Sequence, residues 1–153
     1  VSSIFKELKR SLNNQTIYNM NTKLSFKQII TAGAIGAGVS VAINAILFFI
    51  YHATGIISDN IFVQPNQPMT VVPVILSSLI PSLLGACVFY LFERFSTNGF
   101  KVFSIVAVIL LVLSFGNPFF GIPNVTVVYG IALDTMHIVV ASSLLYFIKR
   151  AKK

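Results

Sequence analysis

Four long apolar stretches, at residues 28–52, 70–92, 100–117 and 125–148, leave this chain few ways to fold. A helix crosses the roughly 30 Å hydrocarbon core of a bilayer in roughly 20 apolar residues. The first, second and fourth stretches meet that length. The third is the shortest and ends at Asn117-Pro118, a helix stop signal. Lipid offers backbone N–H and C=O groups no partners, so each stretch is expected to satisfy its own as a helix. The stretches are continuously apolar and lack the alternation of barrel strands. The sequence therefore predicts an all-α membrane protein built as a four-transmembrane-helix bundle. Composition agrees: charged residues are 10% of the chain, against about 25% in soluble domains. The 56% hydrophobic content excludes a disordered chain.

Charge placement gives direction. Lys6, Lys9, Arg10, Lys23 and Lys27 precede the first stretch, Arg94 and Lys101 join the second to the third, and Lys149, Arg150, Lys152 and Lys153 follow the fourth. All 11 basic residues thus fall on one side. The loops at 53–69 and 116–124 carry none. The positive-inside rule then predicts both termini in the cytoplasm, N-in/C-in. Three parts follow: a basic N-terminal segment at 1–27, a transmembrane domain at 28–148 and a basic tail at 149–153. The expected setting is the cell membrane. The net charge of +7 suits anionic lipid headgroups, and no nucleic-acid partner is expected. The first apolar run exceeds the 7–15 residues or so of a signal-peptide core, and no small-x-small site follows it, so it reads as a retained helix.

Outside the spans, Val1, Ile4, Phe5, Leu8 and Leu12 recur at helical spacing opposite Lys6, Lys9 and Arg10. They describe a short amphipathic helix on the inner leaflet or a frayed basic tail, and Asn13-Asn14-Gln15 breaks the pattern. The 53–69 loop, with Pro65 and Pro68, reads as a stiff connector or as a cover over the bundle mouth. Glu93-Arg94 reads as a solvated interfacial pair. Cys87, the single cysteine, reads as a small buried thiol.

The spans also carry polar residues at similar height. At about 1.5 Å per residue from the basic end, Asp134 lies roughly 22 Å up, Ser78 roughly 21 Å, Ser114 roughly 20 Å, His137 roughly 18 Å and Asn44 roughly 24 Å. Gly130, Asp134, His137 and Ala141 form one helical stripe, and Gly33, Ala37, Ser40 and Asn44 form another. Small residues permit close approach and polar ones bond across the contact, so both stripes are expected to face the interior. A separate stripe of Ala34, Gly38 and Ala42 suits a homo-oligomer or a membrane protein partner. Pro81 removes the bond to the Ser77 carbonyl and predicts a kink beside Ser77, Ser78 and Ser82. An aspartate at mid-membrane costs about 2.5–3.5 kcal/mol on insertion scales, and such residues mark ion or proton sites.

The candidate ligand- or proton-binding residues are thus Asp134, His137, Asn44, Ser77, Ser78 and Ser114. His52 stands roughly 18 Å above His137, too far to share a metal. No metal site, cofactor or catalytic motif is read. Three functions follow from these residues. The bundle binds or translocates a small cation, proton or lipid-like ligand. Alternatively it is a non-catalytic structural or accessory subunit whose polar layer specifies packing. The third and weakest reading is an intramembrane enzyme using Asp134, His137 and the serines.

The chain resembles an uncharacterised family of small bacterial four-helix integral membrane proteins, through Ser78-x-x-Pro81, Ser114 before Pro118, and Met136-His137. The resemblance implies the fold and a bacterial inner-membrane setting. It carries no activity and no catalytic residue.

Overall fold

The computed structural model describes the backbone of residues 2–19 and 23–153, and the side chains of 3–11 and 23–153 except Gln64. The helices are α1 (Ser2–Asn19), α2 (Phe26–Ala53), α3 (Val71–Phe95), α4 (Gly99–Ser114), α5 (Asn117–Gly121) and α6 (Val127–Ala151), with strands β1 (Phe62–Gln64) and β2 (Gln67–Pro68) between α2 and α3. Among the described residues, four helical stretches are long and apolar enough to cross a membrane: α2, α3, α4 taken together with α5, and α6. The protein is an all-α, four-helix membrane protein.

The helices begin and end where local chemistry dictates. Ser25 caps α2 through a reciprocal pair with Gln28: the Gln28 N–H donates to Ser25 Oγ at 3.3 Å, and the Ser25 N–H donates to Gln28 Oε1 at 2.9 Å. Thr126 caps α6 by accepting from the Tyr129 N–H at 3.2 Å. The third stretch is divided. α4 stops at Ser114, and the short α5 restarts with Pro118 in its first turn, where a missing N–H is harmless. α3 runs on through Pro81.

α2 packs along both α3 and α6, while α4 leans on α3 and α6 from outside. In the most apolar part of α2, 33% of residues are buried, against 11% for the α4–α5 stretch, so α4 is the peripheral helix. Phe89 of α3 holds it, edge-on to Phe100 and Phe103 at 6.3 and 5.2 Å. The core is divided along the bundle axis. Ile29, Ala86, Phe89, Phe103, Leu144 and Ile148 fill the end that carries the basic residues. Phe48, Val74, Tyr129, Leu133 and Met136 fill the other. There the loop after α2 turns inward. Ile57 and Ile61 are buried in that cluster, and His52 Nε2 meets Asp59 Oδ1 at 3.1 Å on the surface above.

Several expectations need correction. The hairpin β1–β2 was not foreseen; it pairs Phe62 with Pro68 and Gln64 with Gln67, and Asn66 takes a positive φ of 60° after Pro65. α1 continues through Asn13-Asn14-Gln15 to Asn19, because Asn and Gln weaken a helix without ending it. Ile4, Phe5 and Leu8 lie exposed along it; Val1 and the side chain of Leu12 fall outside the described residues. Cys87 is exposed, not buried.

Candidate functional site

The α2 stripe is buried throughout. Gly33, Ala37, Ser40 and Asn44 all face inward, and a Cβ at Gly33 would collide with the Ala86 side chain, so α2 and α3 touch there at backbone range. The stripe of Ala34, Gly38 and Ala42 stays exposed.

Asn44, 1% exposed, joins three helices. Its Nδ2 donates to Ser78 Oγ on α3 at 2.9 Å and to the Met136 carbonyl on α6 at 3.1 Å. Only an N–H can satisfy that carbonyl, which fixes the amide's orientation. The Ser78 hydroxyl in turn donates to the Val74 carbonyl at 2.8 Å, and Ser82 donates to the Ser78 carbonyl at 2.7 Å. The donors of this layer are therefore consumed within the protein, while Asn44 Oδ1 accepts from no group among the described residues.

Asp134 stands apart. It lies two residues from Met136, roughly 200° around α6, and makes no hydrogen bond to Asn44 among the described residues. It is partly buried, and its Oδ1 is enclosed with no hydrogen-bond donor among the described residues. His137, one turn along the same stripe, engages the Leu133 carbonyl through Nδ1 at 2.9 Å. Among the described residues no hydrogen bond links His137 to Asp134. The remaining candidates serve their own helices. Ser77 is exposed and bonds the Val74 carbonyl at 3.1 Å, and Ser114 bonds the Leu111 carbonyl at 2.7 Å. The structure thus brings Asn44 and Ser78 together, sets Asp134 and His137 on another side of α6, and leaves Ser77 and Ser114 outside the layer.

A second polar knot sits at the basic end. Glu93, only 3% exposed, receives Lys152 Nζ on both carboxylate oxygens, at 2.6 and 2.8 Å. The Leu24 N–H donates to Glu93 Oε1 at 3.3 Å, and Lys23 Nζ donates to the neighbouring Arg94 carbonyl at 2.8 Å. A Cβ on Gly99 would lie 2.6 Å from Glu93 Cα, so the start of α4 also presses on this residue. The expected solvated Glu93-Arg94 pair is instead a buried clamp on Lys152. A signal was present: Glu93 is the one acid in the sequence joining the second and third stretches. Among the described residues no three His, Cys, Asp or Glu gather as a metal site.

No curated protein and no solved structure matches the chain. A family model described as a family of unknown function, DUF6069, matches residues 25–153, the whole of the span-bearing region, and the chain belongs to that family.

Proposed function

We propose that this multi-pass membrane protein binds a proton or small cation at Asp134, with His137 beside it, in a bundle whose basic end and both termini face the cytoplasm. In the bacterial setting implied by the resemblance, that membrane is the inner membrane. The supporting observation is the enclosed Asp134 Oδ1, which accepts from no donor among the described residues. An unmet carboxylate oxygen among apolar helices calls for a proton or a cation. His137 lies one helical turn away on the same stripe. The test is infrared difference spectroscopy of the reconstituted protein against pH. A carboxyl band that follows bulk pH and vanishes in Asp134→Asn supports the site. A band indifferent to pH defeats it.

A second reading rests on a different observation. The Asn44 donors are spent on Ser78 and Met136, as befits a layer that only sets helix register. Under that reading the protein is a structural or accessory subunit. Asp134→Asn then leaves both its assembly and its cellular role unchanged.

A further inference from the structure

The start of α2 and the end of α6 flank a groove of about 600 Å³ at the basic end of the bundle. Lys27, Gln28, Thr31 and Arg150 line one part of it, and Ile35 and Phe147 line another. Lys27 and Arg150 make no ion pair among the described residues, and the buried acid Glu93 is held by Lys152. Gln28 Oε1 is taken by the backbone N–H and the hydroxyl of Ser25, both at 2.9 Å, which leaves the amide N–H groups as its remaining hydrogen-bonding capacity. The polar part of the groove thus offers two full positive charges and neutral donors, with no carboxylate. Ile35 lies two turns along α2 from Lys27, roughly 12 Å further into the span, and it is exposed.

A cationic mouth over an apolar wall, at the depth where headgroup meets acyl chain, matches one class of molecule. We propose that this groove binds an anionic phospholipid, with its phosphate between Lys27 and Arg150 and an acyl chain along Ile35 and Phe147. Basic recesses between helices at the cytoplasmic boundary bind such headgroups by the same physics. The inference rests on the membrane-embedded, cytoplasmic-basic part of the reading above and is independent of Asp134.

Native mass spectrometry of the full chain in detergent tests it, with phosphatidylglycerol and phosphatidylcholine of identical acyl chains as probes. The expected result is about tenfold tighter retention of phosphatidylglycerol, from roughly one order of magnitude of combined Lys and Arg attraction. Lys27→Gln/Arg150→Gln abolishes the preference. Lys149→Gln/Lys153→Gln removes the same charge outside the groove and keeps it, as does Asp134→Asn. Equal loss in the two double variants, or no preference in the unaltered protein, overturns the proposal. Displacement of the lipid by millimolar inorganic phosphate overturns it too, since the acyl chain would then contribute nothing.

Discussion

The bundle is tied across the same three helices twice, with different chemistry at each level. At mid-span a neutral amide does it: Asn44 of α2 holds Ser78 of α3 and the Met136 carbonyl of α6. At the basic end a full ion pair does it: Glu93 of α3 holds Lys152, just past α6, and the Leu24 N–H, just before α2. The choice follows the solvent. Deep in hydrocarbon a charge is costly, whereas a neutral amide is cheaper to bury and Asn44 places both of its N–H donors. Near the headgroups the lysine stays partly wet, with its side chain 32% exposed, while the carboxylate is 4% exposed. Half of the pair therefore escapes the desolvation that makes a fully buried pair so expensive. α4 takes part in neither hydrogen-bonded tie and depends on aromatic packing.

The contrast can be tested by breaking each level. The largest effect is expected from Lys152→Ala, which leaves Glu93 enclosed without its counter-charge. Unfolding in mixed micelles with increasing anionic detergent should show a loss of about 3 kcal/mol. The paired change Glu93→Gln/Lys152→Met should recover most of it, because no charge is then stranded. A single variant as stable as the original protein would mean that the clamp contributes nothing. A smaller loss, about 1 kcal/mol, is expected for Asn44→Ala, in the range of interhelical hydrogen bonds in lipid. In a double-mutant cycle with Ser78→Ala the coupling should be near 0.6 kcal/mol. Zero coupling would show that the amide does not grip α3. The smallest effect belongs to Ser114→Ala, below about 0.5 kcal/mol, since that hydroxyl bonds only its own helix. A loss above 1 kcal/mol, roughly the neutral hydrogen-bond scale, would give Ser114 a place in the layer after all.

Much of this arrangement is legible in the sequence. Span length and the one-sided basic residues locate the helices, and the spacing of Gly33, Ala37, Ser40 and Asn44 identifies a face that is buried in full. Other features are not, for physical reasons. Cys87 and Ser77 lie within apolar runs yet are exposed, because lipid is as apolar as a core and hydropathy does not separate the two. Equal depth for Asn44 and Asp134 suggested one layer, but depth says nothing of azimuth, and the two point to different sides of α6. Glu93 beside Arg94 suggested a local solvated pair. Its partner lies 59 residues away, a distance at which periodicity carries no information. The β1–β2 hairpin is too short to announce itself beyond Pro65-Asn66.

The clamp at the basic end also has an order in time. A ribosome releases α3 well before α6, so Glu93 reaches the membrane boundary while its lysine, 59 residues further along the chain, is still to be made. Until Lys152 arrives, that carboxylate stays with water, and the end of α3 has reason to remain unseated. Seating the end of α3 therefore waits on α6, and the clamp closes only when the later of the two helices has arrived.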